Sequence, residues 1–326
     1  MTEIPSDSGW LPDPWRSHPP EDSSADPVEG TLGHGHHWRA LGVTDERQLD
    51  GLIDKFLLLA SGIGDPAPAP WSGGEYARVE ACEFPQASIR FRFLCGVASY
   101  DEPYDLVSAY PVLVRSSEWI VRIEQTTDSY GPYEGTVVAE TASGHDLEFF
   151  ATDFAERADS WKRTGLARVA LVGLGLSMET YFSDPWIIRE GPMVELRKQE
   201  LRDEGRHAEA DDPDFHLTVT SDRLRTLFSD HHDHHMLIGK VRRVTGIRPR
   251  PEFQGWRLEV ECLPDELPSG HCLVVYLFRA AWTEGAPPRK GQMIQGTIWL
   301  QGTWLDRVGK DDAVIWKRST AIWSDE

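Results

Sequence analysis

The chain is short of the residues that staple or ligate: its 326 residues include four cysteines, Cys82, Cys95, Cys262 and Cys272, with no Cys-x-x-Cys pair. That spacing excludes a zinc knuckle and a redox dithiol, and implies free thiols in a reducing compartment. Long apolar runs are also lacking. The most apolar stretch, 169–178, is about half the ~20 residues of a membrane-spanning helix and reads as a buried strand, so no membrane is expected as a partner. The start Met-Thr-Glu-Ile-Pro-Ser-Asp has neither a basic n-region nor an apolar h-region, and a cytoplasmic location is the expectation. Positive charge is scarce, with 33 Lys and Arg against 53 Asp and Glu and a net charge of −20. Such a surface repels polyanions, so nucleic acid is not expected to bind the whole chain. The deficit is uneven: residues 236–326 hold 13 basic against 11 acidic side chains, and this part alone tolerates an anionic partner.

Signatures of chemistry are missing as well. No Gly-x-Ser-x-Gly elbow and no Walker A loop occurs, which removes α/β-hydrolase and P-loop readings. The run Gly173-Leu-Gly175-Leu-Ser177-Met178 opens like a dinucleotide-binding turn but ends in Met178 and leads toward Tyr181 and Pro185 rather than a helix. Glu259 and Glu261 share a strand face, yet no lysine follows at nuclease spacing.

What is present is a pattern of short strands. Residues 1–40 are an acidic, Pro-rich tail of disordered composition, interrupted by Trp10, Trp15 and Trp38. Thr44 reads as an N-cap followed by Asp45 and Glu46, opening a helix whose apolar residues Leu49, Ile53, Phe56, Leu57 and Leu59 follow helical spacing to Gly62, after which the proline run from Asp65 forms a stiff connector. An N-terminal α+β domain with a β-meander follows over 41–184. Within it Ile89, Phe91, Phe93, Cys95 and Val97 alternate with Arg90, Arg92 and Leu94, which predicts one buried and one largely wet face, and Trp119, Val121 and Ile123 alternate in the same way with Ile120, Arg122 and Glu124. A helical linker over 185–235 carries a charged helix from Pro192. The C-terminal module, 236–326, reads as strands at 237–244, 256–262, 272–279, 291–300 and 313–318.

The strand-and-glycine order of that module, from Gly239 through Trp256 to Gly296 and Gly302, recurs more weakly from Gly135 through Asp146 to Gly173. Five short strands with glycines where a small barrel must coil resemble the OB-type barrel, with an Ig-like sandwich as the competing arrangement. The expected fold class is therefore mainly β, α+β overall: two small antiparallel β-modules, the C-terminal one an OB-like barrel, joined by a charged helix.

Three functional readings follow. The first is a non-enzymatic binding or adaptor protein that engages a protein partner through an exposed aromatic strand face. Trp299 falls on the polar side of its strand beside Gln295 and Gln301, where a large ring needs something to pack against, and Trp256, Trp304, Arg242 and Arg243 complete the candidate surface. The alternative covering for Trp299 is a neighbouring domain or the N-terminal tail. The second is a metal-dependent hydrolase or metal-binding protein built on His231, Asp233, His234 and His235, because helical geometry would place His231 and His235 on one face with oxygen from Asp233. Zinc or another divalent ion is the implied cofactor in that reading and none in the first; His34, His36 and His37 of the tail are possible further ligands. The third is single-strand nucleic-acid binding by the C-terminal module alone.

Overall fold

The computed structural model describes residues 34–308 except 63–66, 69–77, 85–87, 98–104, 128–132, 143, 182–185, 220–224, 232, 252 and 264–271. The acidic tail as far as residue 33 and the strand expected at 313–318 lie outside the described residues, as does the proline connector except at Ala67–Pro68, while the short helix expected after Ser221 within the 185–235 linker is replaced by a strand at Thr226–His231, which pairs across a hairpin. The chain begins with α1 (Gly35–Ala40) and α2 (Glu46–Leu57), then β1 (Ser61–Gly62), β2 (Ala67–Pro68), β3 (Arg78–Phe84), β4 (Ile89–Val97) and β5 (Asp105–Leu113). It continues through β6 (Ser117–Thr127), β7 (Gly135–Glu140), β8 (Asp146–Ala151), α3 (Phe154–Trp161) and β9 (Gly165–Thr180). Next come β10 (Trp186–Ile188), α4 (Pro192–Asp203), α5 (His207–Ala210), β11 (Leu217–Val219) and β12 (Thr226–His231). It ends with β13 (His234–Ile247), β14 (Gly255–Glu261), β15 (Cys272–Phe278), a 3-10 turn at Arg279–Ala281 and β16 (Met293–Arg307). The protein is mainly β, and no helix of the described residues is long and apolar enough to cross a membrane.

Helix α2 forms for local reasons. The Asp45 carboxylate accepts the Gln48 N–H at 2.8 Å as an N-cap, and Leu49, Ile53 and Phe56 line one buried face. That face rests on the smaller sheet, ordered β1-β3-β4-β5 with β2 beside β3, where Phe56 stacks on Phe84 and Phe91.

The larger sheet differs from expectation. Instead of two separate antiparallel modules, nine strands form one mixed sheet in the order β12-β13-β14-β15-β9-β16-β8-β7-β6, with β13 also pairing β16 and β9 also pairing β6. The reason is that neither region completes its own hydrogen bonding. Strand β15 finishes against β9 in parallel, through Val274↔Val172 to Tyr276↔Leu174. Strand β8 finishes against β16 in parallel at Gln301↔Phe150 and Gly302↔Ala151. Two closed circuits result, β13-β14-β15-β9-β16 and β6-β7-β8-β16-β9. Both contain β9 and β16, which run antiparallel to each other from Ile294↔Thr180 to Arg307↔Ala167.

Burial follows from this sharing. Strand β6 alternates between buried Trp119, Val121 and Ile123 and more exposed neighbours, as a half-wet strand should. Where β9 and β16 cross, at Leu300↔Gly173, every residue from 171 to 175 and from 298 to 302 is buried. The buried amide of Gln301 is satisfied by the small sheet: its Nε2 donates to the Pro111 carbonyl at 2.6 Å and its Oε1 accepts the Leu113 N–H at 3.2 Å. Gly296 sits at φ +145°, and a Cβ there would lie 2.0 Å from the Ser177 carbonyl oxygen across the crossing. A Gly296→Ala chain should therefore lose at least about 2 kcal/mol of stability, because backbone rather than a flexible side chain must yield. Urea denaturation reads this directly, and an unchanged midpoint would refute the close approach. The fragment 236–326 lacks β9, and circular dichroism should show it unfolded alone.

Candidate functional site

The N-terminal histidine tract and the histidine tract at 231–235 converge on Trp299. His34 and His37 stand one helical turn apart at the start of α1, and α1 packs against β9 and β5. Trp38 anchors this turn: its Nε1–H donates to the Ala109 carbonyl at 3.0 Å and its ring stacks on Phe91. The imidazole of His37 lies flat on the Trp299 indole, centroids 3.5 Å apart and planes 6° from parallel. Trp299 is fully buried beneath it, and its Nε1–H donates to Asp233 Oδ2 at 2.6 Å.

A chain of polar contacts runs through the cluster. Glu134, just before β7, accepts the Ser108 hydroxyl at 2.7 Å and faces His34 Nε2 at 2.8 Å. His34 Nδ1 lies 3.0 Å from His37 Nδ1, and His37 Nε2 lies 3.2 Å from His234 Nε2. Rings of Tyr110, Phe150 and Trp299 surround His34, each about 5 Å from it centroid to centroid. His34, His37, Glu134 and Asp233 are buried and His234 is half-buried.

Of the four residues expected to ligate metal, Asp233, His234 and His235 have described side chains, and these make separate contacts. Residues 231 and 234 pair across the β12–β13 hairpin rather than continuing a helix, and alternation along β13 then sends neighbouring side chains apart. His234 meets His37, Asp233 turns to Trp299, and His235 is buried with Nε2 accepting the Glu148 N–H at 3.4 Å and Nδ1 donating to the Asp233 carbonyl at 3.4 Å. The side chains of His231 and His36 lie outside the described residues. His37 offers opposite ring nitrogens to His34 and His234, which is the geometry of a series and not of a shared ion. Among the described residues no three His, Cys, Asp or Glu groups are arranged to hold one metal.

The expected exposed aromatic face is likewise corrected. Trp299 is capped by His37, and Trp304 is buried edge-on against Trp161, centroids 5.2 Å apart. Gln301 is buried, while Trp256 and Gln295 are half-buried. The cause is the shared crossing, which gives β16 a neighbour on each face. Arg242 and Arg243 are exposed, but Arg242 pairs with Glu261 and Arg243 lies 3.6 Å from Glu259, so the charge of each is countered by a glutamate.

A second polar cluster, missed in the sequence, lies on the other side of Tyr110. The buried Arg92 guanidinium donates to Glu83, to the Thr152 carbonyl and to Glu156, and Tyr110 Oη donates to the same Thr152 carbonyl at 3.1 Å. Burial would lower the Arg92 pKa, but Tyr110, Glu156 and Glu83 outweigh it and raise the value; burial pushes the Tyr110 phenol well up. Asp153 accepts the Trp161 Nε1–H at 2.9 Å and the Trp304 N–H. Alternation of Arg90 and Arg92 in an apolar strand was the available signal, read as a wet face.

The chain matches no protein-family model, no curated protein and no solved structure.

Two groups give the site a dissectable pH dependence. Burial pushes His235 down to about 4, helped by His234 and opposed by the bond to Asp233, so the native state refuses a proton that the unfolded chain binds near 6.5. Its contribution to stability is lost as pH falls from 6.5 to 4. Burial pushes Asp153 up to about 6 against the Trp161 bond and Arg92, so the native state takes a proton before the unfolded chain does at 3.8. Its contribution rises as pH falls from 6 to 4. Urea midpoints between pH 7 and 4 should thus fall less for His235→Gln than for the parent and more for Asp153→Asn; parallel curves would contradict both assignments.

Proposed function

We propose that this chain is a non-enzymatic binding protein that engages a protein partner, and that its two strand circuits are OB-type barrels forming an internal repeat. Support for the architecture is that each circuit has five strands and a short helical segment, α3 or the 3-10 turn, between its third and fourth. The repeat reading rests on the matching order β6-β7-β8-α3-β9 and β13-β14-β15-turn-β16. A scaffold of this kind holds a surface rigidly without implying a reaction.

The observation that carries the binding reading is strand β12. It is the terminal strand of the nine, its described pairing is to β13 alone, and it presents Phe228 at 41% exposure beside exposed Ser229. A terminal strand can be extended by a further strand, and a side chain pointing outward beside it gives a partner something apolar to cover. The partner is an extended segment of another protein added alongside β12. The pairing of Arg242 and Arg243 with glutamates favours protein over nucleic acid. Hydrogen exchange on a purified complex should show protection at Thr226–His231, and Phe228→Lys should weaken capture at least tenfold with unchanged circular dichroism. Protection elsewhere with undiminished capture would rule out β12 as the contact.

A further inference from the structure

We infer that Arg115, Arg257 and Tyr276 form a binding site for one phosphate group, free or carried by a small molecule, where the turn between β5 and β6 meets β14 and β15. This inference rests on different residues from the strand-addition reading and does not depend on it.

Strand register brings the first two groups together. Thr245, Arg257 and Tyr276 are paired in turn across β13, β14 and β15, and residues opposite one another in an antiparallel ladder share a face. Leu258 and Val260 of β14 and Val275 and Leu277 of β15 are fully buried on the inner face, which leaves Arg257 and Tyr276 on the outer one. Tyr276 is nevertheless fully buried, because the turn after β5 crosses it. Three bonds fix that turn: the Arg115 N–H donates to Tyr276 Oη at 3.2 Å, the Ser117 hydroxyl donates to the Cys272 carbonyl at 2.5 Å, and Ser117 Oγ accepts the Val274 N–H at 3.1 Å. The backbone that carries Arg115 is thus held over the same tyrosine that Arg257 flanks.

Counting donors shows what chemistry the place suits. A phenolic oxygen accepts hydrogen bonds and also has one hydrogen to give. Tyr276 Oη accepts from Arg115, and among the described residues nothing accepts its own hydrogen; a guanidinium, which only donates, cannot. Burial pushes the Tyr276 phenol up, while the Arg115 amide and the charges of Arg257 and Arg115 pull against it, so both guanidiniums bear on this hydroxyl. A buried hydroxyl hydrogen and two cationic donors therefore converge, and an oxyanion supplies acceptors to all of them at once.

The neighbouring carboxylates are engaged elsewhere. Glu259, two residues along the strand from Arg257, lies 3.6 Å from Arg243, Glu261 accepts from Arg225 and Arg242, and Glu118 meets Arg168 at 3.2 Å. Among the described residues neither Arg115 nor Arg257 has an ion-pair partner. Arg115 is exposed and Arg257 half-buried, so a ligand can reach both. The guanidinium fork matches phosphate oxygens in pairs. Two forks beside one hydroxyl suit a single tetrahedral group rather than a run of phosphates, and the net charge of −20 opposes a long polyanion.

Inorganic phosphate titrated into the full chain at constant ionic strength, followed on the arginine Nε–H signals by NMR, tests the site. Saturable shifts should appear at Arg115 and Arg257 in the millimolar range. Arg257→Gln should weaken binding at least tenfold, Arg257→Lys should restore little of the loss because an ammonium lacks the fork, and Tyr276→Phe should weaken it about threefold. Arg47→Gln, on the exposed side of α2, should leave it unchanged. Phenyl phosphate binding at least threefold more tightly than inorganic phosphate would mark an ester as the preferred form, and equal affinity would mark the free ion; either result supports the site. Absence of saturation, undiminished affinity in Arg257→Gln, an equal loss in Arg47→Gln, or a short oligothymidylate binding more tightly than phenyl phosphate would each overturn it. Should Tyr276→Phe not fold, the two Arg257 variants, changed on the outer face, decide the matter alone.

Discussion

The antiparallel pairing of β9 with β16 is the interaction on which the rest of the structure depends. Each strand serves one circuit with its first half and the other circuit with its second, so neither set of strands closes without both. Backbone hydrogen-bonding groups that would otherwise be exposed on β8 and β15 find partners there, at Phe150 and Ala151 and from Val274 to Tyr276. The crossing also dictates composition: residues buried on both faces must be apolar, small, or satisfied like Gln301.

Both polar clusters are consequences of packing the small sheet and α1 on this crossing. Tyr110 is common to them, its ring against His34 and its hydroxyl on Thr152 beside Arg92. Charge entering such an interior needs partners within reach, and the structure supplies them in short series: Glu83, Arg92 and Glu156 on one side, Glu134 and the histidines on the other. The interior is thereby oriented as well as filled, since each hydrogen bond in a series constrains the next.

Much of the local structure was legible. The strand at Ile89, Phe91 and Phe93 and the helix after Thr44 are read from neighbouring residues, although the cap falls one residue on, at Asp45, and the side of the strand expected to be wet is buried at Arg92 and Leu94. Trp299 also announced itself, as a ring on a polar face in need of a covering, and the covering is the N-terminal turn through His37. What the sequence hid is which strand lies beside which. Side-chain alternation says which residues share a face, but parallel pairing of Val275 with Gly173, or of Gly302 with Ala151, joins positions more than a hundred residues apart and leaves no local mark. On the proposed repeat, the first copy begins at β6 rather than at Gly135, and the shift by one strand makes β8 the counterpart of β15. The helical reading of the histidine tract is corrected for a related reason. A helical spacing is only meaningful in a helix, and a β-hairpin turns the same letters into side chains that diverge.

Shared strands also impose an order on synthesis. Strands β6, β7 and β8 and the first half of β9 leave the ribosome long before Gln301 and Gly302, the residues that close their circuit. At ~5–20 residues per second the delay is on the order of ten seconds. During that interval β8 presents an open edge with Phe149 and Phe150 beside it, the kind of surface that other nascent chains and chaperones meet first. The last described strand, β16, thus sets the time at which the first circuit becomes safe from aggregation.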